Sequence, residues 1–337
     1  MRPRWPADKL RYRRPSLASR HEGACAAKLN EDPISDLRTY TRRQARSFLG
    51  VFVIALLLGG CTGGILDPKG PVGSAQRLIL FDALAIMLAV VVPVIVAILA
   101  FAWWYRASNS KARYLGDWAY SGRIEFIVWA IPALVIMFLG GIAWISSHDL
   151  DPAKALPSKA RSLEVQVVSL DWKWLFIYPE QGVASVNQLV VPAGVPVHFS
   201  LTSASVMNAF FVPQLGTMIY TMNGMMTQLN LQADEPGVFH GLSSQYSGDG
   251  FSGMAFEVRA VSSGDFDNWI AAARRAGPEL DAQSYAMLAR QSTNVAPFTY
   301  RAVGPQLFNS IVTRELPPGP GPDMGKPGAN VSPRTGG

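Results

Sequence analysis

Two apolar runs constrain this 337-residue chain more than any other feature. The first extends from about Ala83 to Tyr105 and closes on Trp103, Trp104 and Tyr105; the second runs from about Phe126 to Ile145 and carries Trp129 and Trp144. Each has about twenty apolar residues, enough for a helix to cross roughly 30 Å of hydrocarbon, and the terminal aromatic rings suit the headgroup region. Backbone polar groups in lipid must be satisfied within the segment, so both runs are expected to be helices, kinked at Pro93 and Pro132. The segment between them carries Arg106, Lys111, Arg113 and Arg123 against Asp117 alone. Such a basic excess sets that loop on the cytoplasmic side. Everything after about Ser147 then lies on the outer side, and the two runs form a transmembrane hairpin over residues 83–146.

The net charge of +6 invites a nucleic-acid reading, which its distribution removes. Residues 1–60 hold 12 Lys and Arg against 5 Asp and Glu, leaving 18 against 19 for the remainder, so the basic character belongs to a leader. Within that leader Arg42, Arg43 and Arg46 precede the apolar run Phe48–Leu58, which ends in Leu58-Gly59-Gly60-Cys61. A basic start, an apolar stretch too short to span a bilayer and small residues before the cut describe a secretory signal. Leu-Gly-Gly-Cys resembles a bacterial lipobox, which predicts cleavage after Gly60, an acyl lipid such as palmitate on Cys61, and an N-terminus on the outer side. Lipid anchoring and the charge bias of the loop thus require the same topology. Cys25 and Cys61 are too few for a disulfide framework or a zinc site. His21, His148, His198 and His240 show no ligand spacing, and His198 and His240, each within a strand-like run, are expected to pack or to hydrogen-bond.

Residues 61–82 read as an outer-side linker. After Pro157 the periodicity changes to short alternating runs: 163–170, 172–178, 186–191, 195–201, 206–212, 227–231, 238–242 and 254–261. Turn residues separate them, among them Pro192 to Gly194 and Gly248 to Gly250, so residues 158–262 predict an antiparallel β-sandwich. Asp265 is placed to cap a helix through Arg275, and Ala282 to Gln291 reads as a second helix, within a C-terminal extension over 263–316 that holds Phe298, Tyr300 and Phe308. Residues 317–337 contain 6 Pro and 6 Gly and are expected to be disordered. No motif marks a nucleophile, a phosphate loop or a nucleotide fold.

Several strings carry a family resemblance: Gly241 to Met254 (GLSSQYSGDGFSGM), Asp171-Trp172-Lys173-Trp174 with Phe176 to Gly182 after it, and the aromatic extension. Over roughly Leu57 to Val312 the chain resembles subunit II of the bo-type (cytochrome o) ubiquinol oxidases, a branch of the haem-copper oxidase superfamily. The resemblance implies a membrane-anchored α+β protein: a two-helix hairpin, a cupredoxin-like sandwich and a helical C-terminal extension. In cytochrome c oxidases the same loop supplies cysteine, glutamate, cysteine, histidine and methionine to a dinuclear copper centre, with a further histidine upstream. At those positions this chain has Ser243, Gln245, Ser247, Phe251 and Met254, and upstream Asn208. Only the methionine is retained. Copper of this kind needs thiolates and imidazoles, so the resemblance implies a domain that binds no metal.

Loss of that centre fits a donor that dissolves in the membrane. The implied function is subunit II of a proton-pumping ubiquinol oxidase of the bacterial inner membrane, in which haem b, haem o or a related haem, the active-site copper and ubiquinone belong to subunit I. The implied partners are subunit I chiefly, subunits III and IV, and membrane lipid, with no cytochrome c and no catalytic centre on this chain. Trp172 matches the tryptophan of electron entry in the copper-bearing relatives; without copper behind it, packing is expected. Glu125, at the cytoplasmic end of the second span, resembles the glutamate at the mouth of a proton pathway. A carboxylate at a helix N-terminus also has an ordinary role, worth about 0.3–1 kcal/mol against the helix dipole. The alternative to a subunit is a free-standing membrane lipoprotein whose sandwich serves binding or assembly.

Overall fold

The computed structural model describes residues 64–113, 120–158 and 160–321. The leader, Cys61 with its cleavage site, and residues 322–337 lie outside these. Helix α1 spans Pro71–Trp104 and α2 spans Gly122–Asp149, and both are long and apolar enough to cross a membrane. α1 begins twelve residues before its apolar run, inside the expected linker. Pro71 explains the start: a proline at the first helical position lacks only an N–H that has no helical partner. At 1.5 Å per residue α1 is about 51 Å long, well beyond the roughly 30 Å of hydrocarbon. Its first turns therefore form a stalk on the outer side. There Val72 and Gly73 are buried, the N–H of Lys69 donates to Gln214 O (2.7 Å) and that of Gly73 to Leu215 O (3.1 Å). The stalk and the outer domain are thus tied by backbone bonds. At the cytoplasmic end, Asn109 Nδ2 donates to Trp104 O (2.6 Å) and the Arg106 guanidinium lies 5.0 Å from the Trp103 ring, so the last carbonyls meet donors and positive charge.

The outer domain is a cupredoxin-like sandwich. Among the described residues its first sheet has six strands, in the order β12 (Phe298–Tyr300), β3 (Val183–Val186), β2 (Lys173–Tyr178), β1 (Leu163–Leu170), β5 (Val197–Ser203) and β8 (Thr227–Leu231). The second has five, in the order β4 (Gln188–Pro192), β10 (Ala255–Val261), β9 (Gly237–Ser243), β6 (Asn208–Phe211) and β7 (Ile219–Thr221). The expected antiparallel pairing holds for most ladders and is corrected at two: β1 runs parallel to β5, and β4 parallel to β10. Each of those pairs is non-consecutive, joined by a crossover rather than by a hairpin. The single run expected at 186–191 is two strands, because Asn187 adopts a positive φ of 54° and moves the chain from one sheet to the other.

β2 shows why the first sheet is apolar on both faces. Trp174, Phe176 and Tyr178 point between the sheets, while Leu175 and Ile177 point to a second core roofed by the C-terminal extension. That roof contains α4 (Ala282–Leu288), α5 (Leu307–Val312) and the short strands β11 (Glu279–Leu280), β12 and β13 (Ala302–Val303), whereas α3 (Ser263–Arg275) sets Phe266, Ile270 and Ala273 into the core between the sheets. Between the sheets, Phe256 stacks on Phe210 (5.1 Å between centroids) and meets Phe176 (5.2 Å) and Trp174 (5.4 Å). Tyr178 Oη donates to Val190 O (3.0 Å) and accepts from Val190 N (2.9 Å), binding one sheet to the other. Burial pushes the Tyr178 phenol above its ordinary range. The cap of α3 is Ser262, whose Oγ accepts from Asp265 N (3.1 Å); Asp265 stands in the first turn rather than at the cap. Residues 317–321, expected to be disordered, are docked: Gly319 N donates to Ala204 O (2.8 Å) and Gly321 N to Asp171 Oδ2 (2.9 Å).

Candidate functional site

The positions singled out by the family resemblance meet at one end of the sandwich. Asn208 opens β6 and Ser243 closes β9, its neighbour, with Phe210 opposite Ser243. Gln245 and Ser247 follow in the loop, Phe251 opens a 3₁₀ turn (Phe251–Gly253), and Met254 stands just before β10. Asn208, Ser243, Ser247 and Met254 are buried. Their polar atoms partner one another. Ser243 Oγ lies 3.2 Å from Asn208 Oδ1 and 3.2 Å from the Gln245 carbonyl, and Asn208 Nδ2 donates to Val206 O (3.3 Å). Ser247 Oγ is 3.9 Å from the Met254 sulfur. Phe251, half-buried, sets its ring against Tyr246 (5.6 Å).

The donor chemistry here does not fit a dinuclear copper centre. Two hydroxyls, two amides and a thioether are neutral, and apart from the thioether they are hard donors. Among the described residues no three His, Cys, Asp or Glu side chains gather in a metal-binding group. His198 is half-buried with Nδ1 3.0 Å from Asn230 Oδ1, as expected of a hydrogen-bonded strand residue. His240 differs from expectation. It is exposed on β9 opposite Glu257, because its side of the strand faces away from the aromatic core.

Trp172 is buried, as its packing role requires, and its indole N–H donates to Ser247 O (3.0 Å). Its φ of 64° is a strained setting for a bulky residue, of the order of 1–3 kcal/mol. The residues on either side of it carry chemistry that the sequence did not reveal. Asp171, buried, accepts from Ser205 Oγ and from Gly321 N. Lys173, 1% exposed, donates from Nζ to Arg290 O (2.6 Å) and Ser292 Oγ (2.7 Å). Burial lowers the Lys173 amine to about 8, against the opposing pull of the Asp171 charge. The only sequence signal was a charged residue between two tryptophans.

Glu125 lies elsewhere. It occupies the first turn of α2, exposed, with its N–H donating to Ser121 O (3.0 Å). The ion pair with Arg123 that the sequence allows is not formed among the described residues. Twenty-four residues separate it from Asp149 at the far end of α2, about 36 Å along the helix.

Two spanning helices and an outer cupredoxin-like sandwich define the class of subunit II of the haem-copper oxidases. The profile described as "Cytochrome C oxidase subunit II, periplasmic domain" matches residues 163–261, and that of the "COX Aromatic Rich Motif" matches 274–319. The cytochrome bo(3) ubiquinol oxidase subunit 2 of Pseudomonas aeruginosa is 52% identical over 260 residues, 77% of this chain and 78% of the relative. The ubiquinol oxidase subunit 2 of Acetobacter aceti is 49% identical over 269 residues, 79% of this chain and 87% of the relative. That of Pseudomonas putida is 48% identical over 267 residues, 79% and 84% respectively. The chain belongs to the ubiquinol oxidase subunit 2 family.

Proposed function

We propose that this chain is the copper-free second subunit of a terminal ubiquinol oxidase, in which electrons pass from quinol to oxygen through centres held by subunit I. The observation that carries this reading is the set at the positions where a copper centre needs thiolate and imidazole: Ser243 bonds Asn208 and the Gln245 carbonyl, Asn208 bonds Val206 O, and Ser247 faces the Met254 sulfur. A soluble electron donor needs a redox centre on the outer domain, whereas quinol reaches a haem-bearing partner from within the bilayer. The relatives' names, which include ubiquinol oxidase, support the same donor.

In this reading the chain anchors, packs and stabilises. Subunit I is its main neighbour, with subunits III and IV in the same complex, in a bacterial inner membrane. Bare intramembrane faces support a partner over the free-standing lipoprotein: α2 buries no residue, and a Cβ added at Gly140 or Gly141 would meet nothing within 4 Å. Such a glycine notch lets another helix approach closely. Cys61, after removal of residues 1–60, carries an acyl lipid on the outer leaflet. Glu125 receives protons from the cytoplasm for the oxygen-reducing centre, a role supported by its exposed carboxylate at the cytoplasmic mouth of α2. Purification of the tagged chain in mild detergent tests the reading: co-purifying haem and quinol-dependent oxygen uptake are expected, and a haem-free chain would overturn it.

A further inference from the structure

The loop from Ser244 to Gly253 lacks the means to hold its own shape. It contains Gly248, Gly250 and Gly253, residues that lose most conformational freedom on ordering. Apart from Ser244 N to Ala209 O (3.2 Å), the backbone bonds that its N–H groups donate stay within the local turn: Phe251 N to Gly248 O (3.1 Å) and Gly253 N to Gly250 O (3.1 Å). Its two large rings, Tyr246 and Phe251, pack on each other at the surface. A segment with so few buried apolar contacts belongs to the low-stability end of a fold unless something else secures it.

The contacts that secure it come from the C-terminal extension. A Cβ at Gly250 would lie 2.5 Å from Thr293 Cγ2 and 2.3 Å from the Trp172 ring; one at Gly253 would lie 2.6 Å from Asn294 Oδ1. Thr293 and Asn294 therefore press directly on the loop's glycines. Trp172 presses on Gly250 and bonds Ser247 O, and its two neighbours in sequence are held by the extension. Lys173 grips Arg290 O and Ser292 Oγ, and Asp171 grips Gly321 N. The strap around Gly319 and Gly321 also lies on Ser205 and Val206, the segment leading to Asn208.

We propose that the C-terminal extension is the brace of this loop: residues 290–294 clamp Ser244–Gly253 directly and through the Asp171-Trp172-Lys173 turn, while the strap 316–321 secures the opposite rim. Asp171 and Lys173 are positioning residues that keep Trp172 in its strained backbone setting. The extension thus has a task besides roofing the outer face of the first sheet, and the inference rests on contacts within the chain, independent of the electron donor.

Hydrogen–deuterium exchange on the full chain in detergent tests it, with a Ser292→Ala/Thr293→Ala double variant. Exchange at Phe251, Gly253 and Met254 is expected to accelerate by about tenfold or more, with β2 and β5 within about twofold of wild type. Unchanged exchange in the loop overturns the proposal. So does uniform acceleration across the sandwich, which would make the contacts ordinary core packing. Should the double variant not fold, Thr293→Ala alone decides by the same comparison, since it removes only a methyl and a hydroxyl from a half-buried side chain.

Discussion

Gly241→Ala is expected to be among the most damaging single-methyl changes in the outer domain. Gly241 lies on β9 directly opposite Phe256, and a Cβ there would stand 2.2, 2.2 and 2.6 Å from three carbons of the Phe256 ring. Ordinary carbon contacts are about 3.5–4.0 Å, so the ring must move by more than an ångström. It has nowhere to go. Phe256 is 3% exposed and enclosed by Phe210 at 5.1 Å, Phe176 at 5.2 Å and Trp174 at 5.4 Å, so the displacement spreads through the aromatic cluster. Overpacking costs about 1–3 kcal/mol, and the enclosure places this case near the top of that range. For a domain of this size the melting temperature falls by about 2–4 °C per kcal/mol, giving a loss of about 6–12 °C. Thermal unfolding of the detergent-purified chain, followed by near-ultraviolet circular dichroism, reads it. Adding Phe256→Leu should restore part of the loss, a coupling of about 1 kcal/mol between touching residues. A Gly241→Ala variant within about 0.5 kcal/mol of wild type, or strictly additive effects in the pair, would refute the packing argument.

Lys173 gives a pH dependence of defined sign. Its folded value near 8 lies below the ordinary 10.5, so between these the unfolded chain binds more protons and stability rises with pH. Relative to Lys173→Met, the wild type should gain about 2 kcal/mol from pH 7 to 9.5 in urea unfolding, and parallel profiles would contradict it. Glu125→Ala and Glu125→Gln should slow quinol-oxidase turnover at normal haem content, with Glu125→Asp retaining part of the rate; full activity in the alanine variant would leave Glu125 only its dipole role of about 0.3–1 kcal/mol. Mass spectrometry of the membrane-extracted chain should find an N-terminus at lipidated Cys61, and an N-terminus upstream of it would sink the lipobox reading.

The elements legible in the sequence were those whose pattern is local. The spans follow from apolar length, and the strands at 163–170 and 227–231 from alternation alone. Asn208, Ser243 and Met254 were legible only through the family resemblance, which carries the copper-ligand pattern onto this loop. What escaped depends on contacts distant in the chain. β12 forms only against β3, more than a hundred residues earlier, so Phe298 and Tyr300 read as aromatic extension rather than strand. The stalk of α1 is set by its seat on residues 214–216, beyond any hydropathy window. Asp171 and Lys173 look like solvated turn charges until Gly321 and Arg290 arrive from the far end of the chain. Glu125 remained an isolated carboxylate because its proposed destination lies in another polypeptide.

The measurement that bears most directly on the central claim is oxygen uptake by the complex purified through this chain, with ubiquinol and with reduced cytochrome c as alternative donors, alongside its visible spectrum. The account predicts haem bands, uptake with ubiquinol, none with cytochrome c, and no thiolate-to-copper absorption. Uptake driven by cytochrome c together with that absorption would contradict it.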